Sequence, residues 1–247
     1  MTNNLQALIL IGGLGTRLKK VISGVPKPMA PINGKPFLEY LVLYLKKQGI
    51  RHFVFCVGYL PKTVKDHFGK GEKIGVEIRY SQDYSKDGKL GGTAWAVLKA
   101  KRFIKNSPFL VLNGDTFLEV DIKRLFSFHQ KNQAIGTICL THFEDIIEKG
   151  EVLFNKKGRI EKFLEKQPIH RTGWINGGAY LFQKEIFDYF PKIEKKDFVE
   201  GIWFSLERHV FPEIIKRKLP LFGFKTKGYF IDIGTPIEYQ KAQKYFK

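Results

Sequence analysis

Cysteine is nearly absent from the chain: Cys56 and Cys139 are the only two in 247 residues. Each sits in an apolar, strand-like run, and no Cys-X-X-Cys or Cys/His cluster accompanies them. A structural zinc site needs about four such ligands at close spacing, so none is expected and both are read as buried, reduced thiols. Long hydrophobic runs are missing too. No stretch approaches the roughly 20 apolar residues that span a bilayer. Met1-Thr2-Asn3-Asn4 carries no basic residue, and Leu5–Ile11 runs straight into Gly12-Gly13, a short strand and turn rather than a signal peptide. A cytoplasmic location with no membrane partner is expected.

Acidic residues are also in deficit. Lys+Arg number 42 against 24 Asp+Glu, a net charge of +18. Such an excess raises the question of nucleic acid. The basic residues are scattered, however, with no Arg-rich tail, RNP-like aromatic signature or zinc-finger spacing. Doublets such as Lys19-Lys20, Lys46-Lys47 and Lys195-Lys196 read as solvated helix ends and loops. The same field would draw in small polyphosphates, so charge alone leaves both readings open. A nucleic-acid partner is not expected.

What is present is a strand–helix alternation through the first half. Leu5–Ile11 reads as a strand, Pro36–Gln48 as a helix stopped by Gly49, and His52–Val57 as a strand. A short helix at Lys62–Phe68, a strand at Val76–Ser81, a helix from Thr93 to Ile104 and a strand at Phe109–Leu112 follow. That pattern predicts a largely parallel, doubly wound sheet. The second half is richer in strands: Ala134–Thr141, Glu151–Phe154, Arg159–Leu164 and Trp174–Phe182. Helices are predicted near Lys184–Phe190, Phe211–Lys216 and Pro236–Phe246, with extended chain at Leu219–Phe224 and into Asp232. No repeat or Pro/Ser-rich linker interrupts the chain. One domain over residues 1–247 is expected, with halves at about 1–133 and 134–247. The closing helix leaves no room for a hexapeptide-repeat β-helix.

In an open α/β sheet, ligands bind beyond the carboxyl ends of the strands. Gly12-Gly13-Leu14-Gly15-Thr16-Arg17-Leu18 follows the first strand directly. Glycines there let backbone N–H groups approach phosphate oxygens closely. No Gly-Lys-Ser/Thr follows, and the Gly-X-Gly-X-X-Gly spacing is absent, so neither a Walker A loop nor a dinucleotide fingerprint is present. Alone, the loop is an ordinary glycine turn. Next comes Pro26-Lys27-Pro28-Met29-Ala30-Pro31, in which two prolines restrict the backbone around Lys27. A constrained lysine near a phosphate-cradling loop suits a cation that must meet a polyphosphate.

Gly-Gly-X-Gly-Thr-Arg-Leu followed by Pro-Lys-Pro-Met resembles the signature of the sugar-1-phosphate nucleotidylyltransferases. Five further segments, in order, resemble parts of that family. Gly91-Gly92-Thr93-Ala94 is similar to its nucleotide-contacting loop, and Asn113-Gly114-Asp115 to its metal-binding loop. Phe163-Leu164-Glu165-Lys166 and Asn176-Gly177-Gly178 are similar to its sugar-phosphate segments. Asp232-Ile233-Gly234-Thr235-Pro236 is similar to its second metal carboxylate. The resemblance implies a Rossmann-like, doubly wound, mostly parallel mixed sheet with helices on both faces, a strand-rich sugar-binding second half and no C-terminal β-helix. It also implies condensation of an NTP with a sugar 1-phosphate, releasing pyrophosphate, with Mg²⁺ as cofactor.

On this resemblance, Gly12, Gly13, Gly15, Thr16, Arg17, Lys27, Gly92 and Thr93 bind the nucleotide. Arg17, Lys27 and Asp115 are catalytic, and Asp115 and Asp232 hold the metal. Gly114, Glu165, Lys166, Asn176 and Gly177 bind the sugar phosphate. Such roles fit a transfer between two anions, which needs charge neutralisation and positioning more than covalent chemistry. Asp232 has a second reading as the cap of the helix that follows.

Two departures from the family pattern stand out. Gln167 intervenes before Pro168, and Gly177 stands where many relatives have alanine, which would widen a wall facing the sugar. The likeness is nearest to heptose- and mannose-1-phosphate guanylyltransferases, so GTP with D-glycero-D-manno-heptose 1-phosphate or mannose 1-phosphate is the expected pair. UTP, CTP, ATP or dTTP with another sugar 1-phosphate is the alternative. An inactive nucleotide-sensing relative is a remoter one, disfavoured because Arg17, Lys27, Asp115 and Asp232 are all present. A homo-oligomer is compatible with the sequence.

Overall fold

The computed structural model describes residues 4–13, 18, 22, 24–83, 91–147, 149–164, 168, 170–190 and 204–246. Its first strand, β1 (Gln6–Ile11), is buried along its whole length, as expected for a strand covered on both faces. A small hairpin, β2 (Pro31–Ile32) and β3 (Lys35–Pro36), leads into helix α1 (Phe37–Lys47). Then come β4 (His52–Val57), α2 (Pro61–Phe68), β5 (Glu77–Gln82), α3 (Thr93–Ala100) and β6 (Phe109–Asn113). The chain continues through β7 (Thr116–Leu118), α4 (Ile122–Lys131), β8 (Gly136–Phe143), β9 (Glu151–Phe154), β10 (Ile160–Leu164) and β11 (Gly173–Phe182). It closes with α5 (Phe211–Lys216), β12 (Leu221–Thr226), β13 (Phe230–Asp232) and α6 (Pro236–Tyr245).

Nine strands form one sheet in the order β10-β9-β11-β6-β1-β4-β5, with β8 against β11 and β12 beyond it. The strands β6, β1, β4 and β5 run parallel, as the alternation predicts. The second half joins antiparallel through β11, which pairs with both β6 and β8. Alternate residues of β1 feed opposite cores. Ala7, Ile9 and Ile11 meet Leu38, Leu41 and Leu45 of α1 on one face, where Leu125 of α4 and Ala242 of α6 also pack. Leu8 and Leu10 meet Ala94 and Val97 of α3 on the other, with Phe211 of α5. Helices therefore cover both faces.

The chain order reverses between β1 and β6. Their carboxyl ends, at Gly12 and at Asn113–Asp115, are where an open α/β sheet builds its ligand crevice.

Several elements differ from the sequence expectation. Helix α4 was not anticipated between the strand ending at Leu112 and the one at Ala134. It starts where the Asp121 side chain accepts the Arg124 N–H at 3.0 Å, an N-cap that the sequence offers. The helix expected to reach Ile104 stops at Ala100 and tightens into a 3₁₀ turn, Lys101–Phe103. Lys184–Tyr189 is likewise 3₁₀ rather than α. A π-helical turn, Leu206–Val210, precedes α5 and has no counterpart in the sequence reading. Cys56 and Cys139 are buried and free, as expected. Among the described residues, no helix is long and apolar enough to cross a membrane.

Candidate active site

Lys27 heads a 3₁₀ turn, Lys27–Met29, whose Pro28 and Met29 are buried. Backbone bonds from Met29 N to Pro26 O (2.8 Å) and from Ala30 N to Lys27 O (3.0 Å) close the turn. The proline-flanked segment is thus a fixed mount for one long side chain. That side chain is 8% exposed, and its Nζ lies 2.7 Å from Asp115 Oδ2 and 2.7 Å from Asp232 Oδ1. The sequence places these three groups up to 205 positions apart.

The register of the small sheet explains why the carboxylates meet. Strand β13 pairs antiparallel with β7 so that Asp232 faces Thr116, the residue after Asp115. Ile233 N donates to Asp115 O at 3.1 Å and locks the corner. The capping reading of Asp232 does not hold, because Thr235 is the N-cap of α6, its hydroxyl accepting the Glu238 N–H at 3.3 Å.

Burial opposes the charge on Lys27, but the carboxylates of Asp115 and then Asp232 outweigh it and hold the pKa above the usual lysine value. Burial and the nearby Asp115 charge raise the carboxyl of Asp232, against the pull of Lys27. Two carboxylates this close need a cation between them, and here the ammonium supplies it. Among the described residues no third His, Cys, Asp or Glu joins them as a ready-made metal cage.

Lys27 and Asp115 line a cavity of about 200 Å³ together with Gly12, Gly13, Asp83, Gly92, Thr93 and Asn113. The structure therefore gathers the loop after β1, the end of β6 and the start of α3. Gly92 has φ +89°, and an added Cβ would lie 2.7 Å from Phe204 O, so glycine is required twice over. Phe204 is stitched to this loop by Phe204 N to Gly91 O (2.8 Å) and Ala94 N to Phe204 O (2.7 Å). Leu206 N adds a bond to Thr93 Oγ1 at 2.9 Å.

Asp83 went unnoticed in the sequence. It follows β5 at the same sheet edge as Gly12 and Asp115, which is the signal that could have found it. The residue is 3% exposed. Burial pushes its carboxyl pKa up to about 8. Asp83 Oδ1 is buried with no hydrogen-bond partner, and a Cβ on Gly12 would sit 2.2 Å from Asp83 Oδ2. Gly12 thus makes room for a carboxylate, and that carboxylate faces the cavity lacking a donor.

A larger cavity of about 1060 Å³ lies in the second half, lined by Gly150, Lys162, Phe163, Asn176, Ser205 and Glu207 among others. Asn176, assigned to the sugar phosphate from the sequence, is one of its lining residues. Gly114 and Gly177, also assigned to the sugar phosphate, are not among the residues that line it. Gly114 is buried at the joint of β6 and β1, where its N–H donates to Leu10 O at 2.9 Å and an added Cβ would lie 2.8 Å from that oxygen. Gly177 faces inward, where an added Cβ would meet Leu118 Cδ2 at 2.8 Å and Cys139 O at 3.0 Å. The widened sugar wall expected at Gly177 does not exist. Gly177→Ala is therefore expected to cost about 1–3 kcal/mol of stability through overpacking, read by urea denaturation, with no change in choice between sugar phosphates.

Gly15, Thr16, Arg17, Glu165 and Lys166 lie outside the described residues.

A family model described as nucleotidyl transferase matches residues 6–247. The D-glycero-alpha-D-manno-heptose 1-phosphate guanylyltransferase of Campylobacter jejuni is 39% identical over 235 residues, 95% of this chain and 97% of that one. The mannose-1-phosphate guanylyltransferase of Mycobacterium tuberculosis is 32% identical over 242 residues, 98% of this chain and 64% of that one. Among solved structures, HddC from Yersinia pseudotuberculosis complexed with GMP-PN is 32% identical and has a TM-score of 0.81, covering 98% of this chain and 100% of its own.

Proposed function

We propose a specific activity from one premise: the chain belongs to the nucleotidyl transferase family. Its reaction is guanylyl transfer from GTP to a sugar 1-phosphate, D-glycero-D-manno-heptose 1-phosphate or mannose 1-phosphate, giving a GDP-sugar and pyrophosphate. The observation that carries the reaction class is the Lys27–Asp115–Asp232 cluster at the edge of the glycine-lined cavity. An oxygen of the sugar 1-phosphate attacks the α-phosphorus, a new P–O bond forms, and the bond to the β-phosphate breaks as pyrophosphate leaves. Both reactants are anions, so positioning and charge neutralisation dominate the catalysis.

Lys27, fixed between its prolines, is assigned to the triphosphate and to the charge that builds on the leaving group. Gly12, Gly13, Gly15, Thr16, Arg17, Gly92 and Thr93 are assigned to the nucleotide. Glu165, Lys166 and Asn176 are assigned to the sugar phosphate.

Asp115 and Asp232 fit magnesium. They are hard oxygen donors already gathered around one cation, and phosphate oxygens and water would complete the shell that magnesium prefers. The metal, when bound, neutralises phosphate charge and orients the two reacting phosphates. Lys27, at 2.7 Å from both carboxylates, would stand beside the same phosphate oxygens and add its charge to that of the ion.

Guanine is supported by Asp83. A buried carboxylate lacking donors fits a base edge that offers two adjacent ones. Guanine presents N1–H beside its exocyclic amine. Uracil and thymine present one N–H flanked by carbonyls, and adenine and cytosine set an amine beside a ring acceptor. The heptose and mannose choice rests on likeness to the relatives named above.

The test is pyrophosphate release, crossing GTP, UTP, CTP, ATP and dTTP with a panel of sugar 1-phosphates. GTP is expected to be turned over fastest. Preference for another nucleotide at equal concentration overturns the guanylyl assignment and leaves the reaction class standing.

A further inference from the structure

Glu207 lies in the π-helical turn before α5, at a place the sequence does not mark. Ser205 caps the turn, its hydroxyl oxygen accepting N–H bonds from Glu207 (3.1 Å) and Arg208 (3.3 Å). The glutamate side chain folds back over that cap. Its Oε2 accepts from the Ser205 hydroxyl at 2.6 Å. Its Oε1 accepts from the Tyr180 hydroxyl at 3.0 Å and from Asn176 Nδ2 at 3.2 Å. Tyr180 is fully buried, and burial together with the Glu207 charge holds its phenol well above the ordinary pKa, so it remains a neutral donor.

Asn176 is held just as firmly. Gly178 N donates to its Oδ1 at 2.9 Å, which fixes the amide with oxygen toward that N–H. Its Nδ2 spends both hydrogens, on Glu207 and on the Tyr180 hydroxyl at 2.8 Å.

The remaining hydrogen-bonding capacity follows from lone pairs. A carboxylate oxygen and an amide oxygen each accept about two bonds. Glu207 Oε1 is therefore full, while Glu207 Oε2 and Asn176 Oδ1 each keep one open place. Every donor in the cluster is used. Both residues line the 1060 Å³ cavity. This cluster thus presents two fixed acceptors and no donor to a cavity that Lys162, Arg208 and Lys216 also line, an arrangement suited at this point to hydroxyl groups that donate.

We propose that Glu207 is a specificity-determining residue whose carboxylate, held by Tyr180 and Ser205, accepts a hydrogen bond from a sugar-ring hydroxyl beside the one read by Asn176. This inference rests on the reading of the larger cavity as the sugar-phosphate site. Its position also gives it a link to the nucleotide side. The same short segment is bonded to the glycine loop through Phe204 and Leu206, so Glu207 is placed relative to the nucleotide rather than hung on a free loop.

The test uses the intact enzyme, GTP and whichever of the two sugar 1-phosphates the wild type turns over, together with its 2-, 3- and 4-deoxy analogues. Glu207→Gln is nearly isosteric. Its amide oxygen must face Tyr180 and Asn176, which turns a donor toward the sugar. For the wild type, one deoxy analogue is expected to lose about 10- to 100-fold in kcat/KM, the range for a hydrogen bond to a charged group. In Glu207→Gln that one penalty is expected to collapse, with a raised KM for the natural sugar phosphate and the KM for GTP within about threefold, since only one sugar contact is lost. Glu207→Asp, which keeps the charge but draws it back by one methylene, is expected to show the same collapse and serves if the glutamine variant fails to fold. Equal deoxy penalties in variant and wild type, or a KM for GTP that rises in step with that for the sugar, would show a purely structural role and overturn the proposal. If the wild type releases no pyrophosphate with any sugar phosphate, the parent reading fails, and this one with it.

Discussion

Asp115→Asn and Asp232→Asn are each expected to lower kcat by about two to three orders of magnitude, the scale of removing one transition-state charge contact. The reason lies in how few charged oxygens the site contains. Among the described residues two carboxylates converge on one cation, with no third acidic or imidazole side chain to replace a lost one. An asparagine keeps the shape and one acceptor oxygen, but it removes the charge that a hard divalent ion requires. The fold should survive, because Lys27 still has the other carboxylate as partner in each single variant. Thermal melts are expected to remain cooperative while pyrophosphate release falls. Activity of the wild type should vanish with a chelator and return with magnesium. Undiminished turnover in Asp115→Asn would remove that residue from the metal site.

The second large effect belongs to Asp83. Inosine triphosphate differs from GTP in lacking the exocyclic amine, and the wild type is expected to prefer GTP over ITP by about 10- to 100-fold, the value of one bond to a charged acceptor. Asp83→Ala is expected to bring that ratio close to one and to lower kcat/KM for GTP. If Asp83→Ala keeps the wild-type ratio, the base is read elsewhere.

The same residue has a signature in stability. Its carboxyl is raised from 3.8 to about 8 by burial alone. Between those values the folded protein binds more protons than the unfolded chain, so this group makes stability fall as pH rises from about 4 to about 8. The contribution is complete below the unfolded pKa and lost above the folded one. Asp83→Asn, which is uncharged throughout, should show a flatter dependence of Tm on pH across that window. Guanine donors favour the charged form, so GTP binding should release a proton below pH 8. Calorimetry in buffers of different ionisation enthalpy reads that release directly.

Much of this molecule was legible before its structure. The alternation from Leu5 to Leu112 marked the parallel strands, and glycine after β1 marked the crevice. Lys27, Asp115 and Asp232 were each visible as residues, but their meeting was not, since it depends on β13 pairing with β7 in one register. Asp83 looked like any polar residue at a strand end. Its significance comes from Gly12 closing over it, a contact between residues 71 positions apart in sequence number (83 − 12).

Gly177 shows a different kind of miss. The direction of a methyl at Gly177 is set by the irregular pairing of β11 with β8 between Asn176 and Tyr180, which the sequence does not announce. Helix α4 is a third case. Its Asp121 cap and the helical spacing of Ile122, Leu125 and Phe126 were both present in the sequence, so this helix was legible there. Glu207 could not be read at all, because its placement depends on contacts with Tyr180 and Asn176, which lie on β11, far from its own turn in sequence.

The central claim is a transfer of the nucleotidyl group itself, and the fate of labelled phosphorus tests it most directly. GTP labelled at the α-phosphorus, incubated with heptose 1-phosphate or mannose 1-phosphate and magnesium, is expected to place its label in a GDP-sugar. GTP labelled at the γ-phosphorus is expected to place it in pyrophosphate, in equal amount. Label from the γ-position appearing in a sugar phosphate or in free phosphate, with none from the α-position entering a sugar nucleotide, would contradict the assigned reaction.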